Sequence, residues 1–427
     1  MIDFNGKKIL IWGYGREGKS SENFLKTHFC PALIDIFEGK PEELKDEGYD
    51  YVFKSPGIPY LEKNPKLISQ TDIFLDCFGD RTIGITGTKG KSTTSTLLYK
   101  ALSSSSKQKV ILVGNIGIPC LDLFDEIDNN TLVVFEMSCH QLMHAKKSPH
   151  IAIFLNLFED HLDCYKTEKT YFEAKRNITA FQKAGDIFIC GENVPGIKTK
   201  ATTYCMISNK VKPSMEYAES FGEKCEKTLI YADELSDKLG RICLKGEHNR
   251  LNAAFVLFIC EKSGADMEKA KKEIKNFRGL PHRMEYFKTV NGVRFYDDSI
   301  STIPEATISA VKSIYGTKTV IVGGMDRGID YSVLESFIRK RKKLNFILSY
   351  ESGSRIMSEL TKQGNEKLEN VYLVKDLKEA SELAFKITPK GKAVVLSPAA
   401  ASYGYFKNFE ERGEYFKALI CNDDLAH

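Results

Sequence analysis

The chain has 427 residues, 42% of them hydrophobic and 28% charged, with a formal net charge of +4. That length exceeds one ordinary core and calls for about two to four domains. The charge is too small to argue for nucleic acid, and no apolar stretch approaches the roughly 18 residues a membrane helix needs, so neither nucleic-acid binding nor membrane insertion is expected.

The eleven cysteines stand singly, without a C-x-x-C pair, as core-filling thiols do in a reducing cytosol. The first residues run into a strand without the apolar region of a signal peptide, so the expected location is cytoplasmic.

In chain order, K-K-I-L-I-W-G at 7 to 13, A-L-I-D-I-F at 32 to 37, Y-V-F-K at 51 to 54 and I-F-L-D at 73 to 76 read as short strands alternating with helical segments. They predict a small parallel α/β domain over residues 1–79. A second series follows: I-G-I-T-G from Thr82, V-I-L-V-G at 110 to 114, T-L-V-V-F-E at 131 to 136 and H-I-A-I-F-L-N at 150 to 156. These runs are apolar on both faces, as buried parallel strands are. The short Ser103 to Ser106 run between them reads as a solvated loop.

Residues 186–245 are less regular and suggest an antiparallel excursion, with helices from Asn249 to about Lys275, which closes a central domain over 80–279. Arg278 to Pro281 reads as a linker. A third domain, 280–427, is another doubly wound α/β unit: V-R-F-Y-D-D at 293 to 298, K-T-V-I-V-G-G at 318 to 324, N-F-I-L-S-Y at 345 to 350, V-Y-L-V at 371 to 374 and A-V-V-L-S-P at 393 to 398. The expected architecture is three α/β domains, with Rossmann-like ends and a central P-loop-type parallel sheet.

The strongest chemical signal is Gly87, Thr88, Lys89, Gly90, Lys91, Ser92 and Thr93, between a strand and a helical stretch. Amides of such a turn cradle phosphates, Lys91 reaches the terminal ones, and Ser92 or Thr93 can ligate Mg²⁺. The spacing departs from the general P-loop, with two residues between the glycines instead of four. Glu136 ends one strand, and Asn156 with Phe158, Glu159, Asp160 and His161 follows the next. Strand carboxyl ends converge on the ligand crevice, so these groups suit Mg²⁺ or Mn²⁺ carrying polyphosphate. Alternatively, Glu136 caps the next helix and His161 is a polar loop residue.

Gly13, Gly15 and Gly18 after the first strand, with Asp35 on the next, match the dinucleotide fingerprint. They fit a nicotinamide-dependent oxidoreductase, and equally any nucleotide diphosphate. Two phosphate-binding elements in one chain argue for a nucleotide-linked substrate activated by ATP; a non-catalytic nucleotide-binding regulator is a further alternative. On pattern alone Lys175 is an exposed helix lysine. Thr302, with Pro304 and Glu305 after it, reads as a helix N-cap in a capping box.

The order of motifs resembles the Mur ligases over essentially the whole chain. The matching pieces are S-P-G-I at 55 to 58, T-G-T-K-G-K-S-T at 86 to 93, G-N-I-G at 114 to 117, E-M-S-C-H-Q-L at 136 to 142, D-H-L-D at 160 to 163, A-K at 174 and 175 and G-E-H-N-R-L-N at 246 to 252. They continue with L-P-H-R at 280 to 283, D-S at 298 and 299, and L-S-P-A-A-A-S at 396 to 402, followed by F-K-N-F-E-x-R-G at 406 to 413.

The resemblance implies ATP-driven ligation of D-glutamate to UDP-N-acetylmuramoyl-L-alanine through an acyl phosphate, in peptidoglycan precursor synthesis, by a monomer. A related ligase adding L-glutamate or another amino acid is the near alternative. By the same resemblance Lys91, Glu136, His161 and Lys175 are catalytic; Ser92, Glu136, His161 and a carbamylated Lys175 hold the metal. The 87–93 loop, Asn252, His282, Arg283 and Asp298 contact ATP. Arg16, Glu17, Asp35, Gly57, Asn115 and His161 line the UDP-substrate path, and Thr302, Arg327, Ser402 and Phe409 the amino-acid pocket. These residues lie on both sides of the linker, so domain closure is expected. Ile300 stands where well-known members carry lysine, which removes one cationic contact, and Ile36 and Phe37 are apolar where some members place hydrogen-bonding side chains.

Overall fold

The computed structural model describes residues 2–58, 60, 62, 64–115, 118–158, 167–207, 227–244, 246–362 and 368–421. Three sheets organise them. The first has parallel strands β1 (Lys8–Trp12), β2 (Leu33–Phe37), β3 (Tyr51–Lys54) and the two-residue β4 (Leu67–Ile68), in the order β2-β1-β3-β4. The I-F-L-D segment expected as a strand lies inside a helix, Gln70–Phe78. The reason is local: the Ser69 hydroxyl accepts the Asp72 amide and Asp72 returns the bond, a reciprocal cap that starts a helix whose Ile73 and Phe74 go into the core.

The second sheet holds β5 (Thr82–Thr86), β6 (Lys109–Gly114), β7 (Thr131–Glu136), β8 (Ile151–Phe154), β9 (Ile187–Gly191), β10 (Thr202–Ile207) and β11 (Lys227–Tyr231), in the order β11-β10-β9-β8-β5-β7-β6. The antiparallel excursion expected over 186–245 is instead a parallel extension of this sheet. Its strands β9 and β10 are buried and need cover, which the helix Glu247–Lys262 supplies; Phe258 meets Tyr204 edge-on at 5.0 Å. The Ser103 to Ser105 stretch is also corrected: it forms the last turn of the helix Lys91–Ser105, with Ser105 buried and bonded to the Ala101 carbonyl.

Both sheets belong to one compact unit, Met1–Phe277; the other unit is Arg278–His427. The second unit's sheet runs β12-β13-β17-β14-β15-β16, with β12 (Glu285–Val290), β13 (Val293–Asp297), β14 (Thr317–Gly323), β15 (Asn345–Ser349), β16 (Val371–Val374) and β17 (Ala393–Leu396). Only β12 is antiparallel. It joins β13 through Asn291 and Gly292, both at positive φ (48° and 79°), the two-residue turn that matches strand twist. Asn-Gly was its sequence signal.

Of the nine described cysteines, five are buried, which suits core filling.

Candidate functional site

In the second sheet β5 lies between β8 and β7. The chain leaves β5 to cross one way to β6 and returns the other way to β8, so the crevice opens at the carboxyl end of β5. The 87–93 loop sits there. Gly87 has φ 155°, and a Cβ on it would come within 3.1 Å of the Leu155 side chain and 3.3 Å of the Asn156 amide nitrogen. Gly90, the N-cap of the helix Lys91–Ser105, has φ 83°, and a Cβ there would meet Asn252 Oδ1 at 2.9 Å. Both glycines are therefore required by backbone and by space.

Asn156 braces the turn: its carbonyl accepts the Thr88 amide at 2.9 Å and its side-chain oxygen the Lys89 amide at 2.9 Å, while its Nδ2 donates to the Lys89 carbonyl at 3.0 Å. Lys91 Nζ donates back to the carbonyls of Gly87 and Thr88, at 2.9 and 3.0 Å. The loop is thus set before any phosphate arrives.

Glu136, at the end of β7, is fully buried; its Oε1 accepts Ser92 Oγ at 3.1 Å and Asn115 Nδ2 at 2.8 Å. The alternative that Glu136 caps the next helix is excluded, because Ser138 and Gln141 form that cap. Asn115, assigned by resemblance to the UDP path, places its amide on this carboxylate.

Lys175 corrects the exposed-lysine expectation: it is 1% exposed, with Nζ donating to the Gly87 carbonyl at 2.8 Å and lying 4.8 Å from the Tyr171 ring. The signal was available, since Tyr171, Ala174 and Ile178 are buried at the same helical spacing and put Lys175 on the inward stripe. The Ser92 hydroxyl and the Glu136 carboxylate, 3.1 Å apart, offer oxygen donors of the kind that Mg²⁺ or Mn²⁺ takes. His161, with Glu159 and Asp160, lies outside the described residues.

The first sheet presents its own crevice. Gly13 has φ 89°, and a Cβ on Gly18 would strike the Gly13 carbonyl oxygen at 2.1 Å, the close helix-on-strand approach that the fingerprint demands. Arg16 opens the helix Arg16–His28 and is exposed. Asp35, on β2, accepts the Tyr49 hydroxyl at 2.6 Å. Ser55 Oγ donates to the Gly13 carbonyl at 2.7 Å and ties the turn that carries exposed Gly57 to the glycine loop. Glu17 turns inward: burial pushes its carboxyl up, and Gln141 Nε2 donates to it at 2.9 Å. Beside it Lys54, missed from sequence, bonds the carbonyls of Ser55 and Ile58, and burial lowers it to about 8 despite the Glu17 charge.

In the second unit, the carboxyl ends of neighbouring strands β13, β17 and β14 carry the loops with Asp298, Ser402 and Arg327. A cavity of about 360 Å³ is lined by Arg283, Asp298, Ile300 and Thr302, among others. Burial pushes Asp298 up to about 6, against bonds from Ser301, Ser397 and the Met284 amide. His282, at φ 60°, bonds Asp297 Oδ2 through Nδ1 at 2.7 Å, and the Phe409 ring stands edge-on to it at 6.1 Å. His282, Glu285 and Asp297 could hold a metal by distance, but Lys417 Nζ lies 2.7 Å from Glu285 and 3.6 Å from Asp297 and already supplies the positive charge.

Thr302 is not a helix cap. The helix Pro304–Ser313 begins after Ile303, and Thr302 instead lines the cavity, because Pro304 at the first helical position supplies the start. Ser402 is buried, and its carbonyl accepts the Phe406 amide at 3.0 Å. Arg327 is exposed. Arg412, quoted only as part of a motif, is 1% exposed and bonds Ser299 Oγ, the Ser299 carbonyl and the Ala400 carbonyl at 3.0, 2.8 and 3.0 Å.

Three α/β sheets, one bearing a glycine-rich turn and a buried carboxylate at its switch point, define a P-loop-type α/β protein. Residues 85–260 match the family described as Mur ligase middle domain. The UDP-N-acetylmuramoylalanine--D-glutamate ligase of Streptococcus agalactiae serotype III is 30% identical over 451 residues, covering 97% of this chain and 96% of that one. The protein of the same name from Geobacillus kaustophilus is 32% identical over 408 residues, covering 93% and 89%. Among solved structures, UDP-N-acetylmuramate-alanine ligase from Thermotoga maritima aligns with a TM-score of 0.53 at 16% identity over 96% of this chain and 98% of that one, a likeness of fold. The MurF ligase from Thermotoga maritima in complex with ADP aligns at 0.52 and 16% identity, over 87% and 88%. The chain belongs to the Mur ligase family.

Proposed function

We propose that this chain is an ATP-dependent carboxylate–amine ligase that joins D-glutamate to UDP-N-acetylmuramoyl-L-alanine in peptidoglycan precursor synthesis. The observation that carries the reading is the full-length match to relatives bearing that name, on a chain whose loop, Glu136 and Lys175 meet at one sheet edge. No finding favours the oxidoreductase or regulator alternatives. Residues 1–79 are assigned to the UDP substrate, 80–279 to ATP and metal, and 280–427 to the amino acid.

The amides of the 87–93 loop and the positive end of the helix Lys91–Ser105 bind the ATP phosphates, and Lys91 offsets charge as the γ-phosphoryl group moves. The substrate carboxylate oxygen bonds the γ-phosphorus as ADP leaves. The glutamate amine then bonds the carbonyl carbon, and phosphate departs with the C–O electron pair while the nitrogen loses a proton. Mg²⁺ or Mn²⁺ held by Ser92, Glu136, His161 and a carbamylated Lys175 would supply positive charge to the polyphosphate. Carbamylation turns Lys175 from a cation into an anionic oxygen donor.

Asn252, His282, Arg283 and Asp298 are assigned to ATP; Arg16, Glu17, Asp35, Gly57, Asn115 and His161 to the UDP substrate; Thr302, Arg327, Ser402 and Phe409 to glutamate. Arg327 offers a carboxylate two parallel bonds. Among the described residues no helix is long and apolar enough to cross a membrane, and a monomer working in the cytoplasm is the proposed state.

The test is phosphate release from ATP with Mg²⁺ and UDP-N-acetylmuramoyl-L-alanine, adding D- or L-glutamate separately. Turnover that requires D-glutamate is expected. Turnover with L-glutamate alone overturns the substrate assignment, and silence with both overturns the ligase reading for this nucleotide.

A further inference from the structure

The loop after β14 that carries Arg327 is held by the helix behind it, Tyr350–Lys362. Ser352 Oγ accepts the Gly324 amide at 2.9 Å and donates to the Gly324 carbonyl at 3.0 Å, at the start of the loop. One helical turn later, on the same face, Arg355 takes over. Its Nε forms an ion pair with Asp326 Oδ2 at 2.8 Å, its Nη2 donates to the Ile329 carbonyl, and its guanidinium lies 4.8 Å from the Tyr331 ring centre. The other oxygen of Asp326 accepts the Gly328 amide at 3.0 Å. Arg355 therefore grips the loop on both sides of Arg327, at Asp326 and at Ile329. Met325 bonds the Ala401 carbonyl at 2.9 Å and fixes the same loop beside Ser402.

A surface arginine recognises a carboxylate only as well as its backbone is aimed, because ordering a loose loop on binding costs affinity. Arg355 faces the loop, whereas Arg327 is exposed at its tip, so the two arginines divide the work of holding and presenting. We propose that Arg355 is a positioning residue for the amino-acid pocket, holding the 326–329 turn so that Arg327 presents its guanidinium to a carboxylate of the incoming amino acid. The inference rests on the assignment of Arg327 made above and adds a residue that the motif resemblance does not include.

The test is steady-state kinetics with each of the three substrates varied, together with melting temperature. Arg355→Ala is expected to raise KM for glutamate roughly tenfold or more, with kcat and the KM values for ATP and the UDP substrate changed less than about threefold, the pattern of lost ground-state binding. Arg355→Lys keeps the charge but not the fork and is expected to recover only part of the loss. Asp326→Asn, a milder change, shifts KM for glutamate the same way and serves if Arg355→Ala does not fold. Added to Arg327→Ala, the Arg355 change should cost nothing more, since it acts through Arg327.

If Arg327→Ala raises KM for glutamate and folded Arg355→Ala or Asp326→Asn does not, the positioning role is overturned and the pocket assignment stands. Equal increases for all three substrates also overturn it, as a general structural role. If Arg327→Ala leaves KM for glutamate unchanged, the pocket assignment itself fails and takes the positioning role with it.

Discussion

Lys175 Nζ lies 2.8 Å from the carbonyl oxygen of Gly87, so a residue 88 positions along the chain forms one wall of the 87–93 loop. A plain ammonium there adds positive charge beside the proposed metal donors, and a carbamate would add negative charge instead. We expect protein equilibrated with carbon-13 bicarbonate to show a carbamate resonance that Lys175→Arg lacks, and that variant to lose turnover while keeping ATP binding. A folded Lys175→Arg enzyme with normal turnover would rule the carbamate out.

Lys91→Ala should reduce turnover by at least about a hundredfold, the scale of losing one preorganised charge at the transferring group. Lys91 Nζ bonds the Gly87 and Thr88 carbonyls at the loop, outside the strands of the sheet, and circular dichroism of the variant is expected to match that of the parent. Near-normal ligation would sink the assignment of this loop.

Glu136 is buried against Ser92 and Asn115. Glu136→Gln keeps the shape and removes the charge, so the Mg²⁺ concentration for half-maximal rate should rise by roughly tenfold or more, with less effect on the Lys89–Asn156 brace. A Mg²⁺ titration superimposable on the parent's would refute a metal role.

The pH behaviour of Asp298 follows from its burial, which holds the carboxyl up to about 6. An unfolded aspartate titrates near 3.9, so ionisation costs more in the fold. The stability tied to its protonated form is fully present below about pH 4 and is lost as pH rises through about 6. Asp298→Asn should therefore gain on the parent as pH rises across that window, by up to about 3 kcal/mol at pH 7 in urea unfolding, while losing ATP affinity. A pH-independent stability difference would contradict the buried-ionisation account.

Arg412 joins the loops after β13 and β17 from within the core, and burial lowers it to about 10 although the Asp297 charge opposes this. Arg412→Met leaves buried acceptors unpaired and should destabilise this unit by about 3 kcal/mol or more, read as a fall in melting temperature with a parallel loss of activity. An unchanged melting temperature would show the three bonds to be dispensable.

Much of this site is written in short, local patterns. The turn from Gly87 to Thr93 is legible because glycines, a lysine and hydroxyls lie within seven residues between a strand and a helix. Gly13 to Gly18 with Asp35 is legible for the same reason. The strand expected at 73 to 76 failed because three apolar residues and an aspartate carry no period, whereas the Ser69–Asp72 cap upstream did decide the element. The excursion over 186–245 failed because strand direction depends on neighbours far away in the chain.

The amino-acid sequence by itself determined many of the strands, the glycine-rich turns and the family, since these rest on neighbouring residues and on motif order. The tertiary structure alone decided that Lys175 is buried against Gly87, that Asn115 and Ser92 share Glu136, and that Arg412 and Arg355 hold the loops after β13, β17 and β14 from behind. Those relations join residues tens to more than a hundred positions apart. They exist only once the sheets have brought strand ends together, which no local pattern encodes.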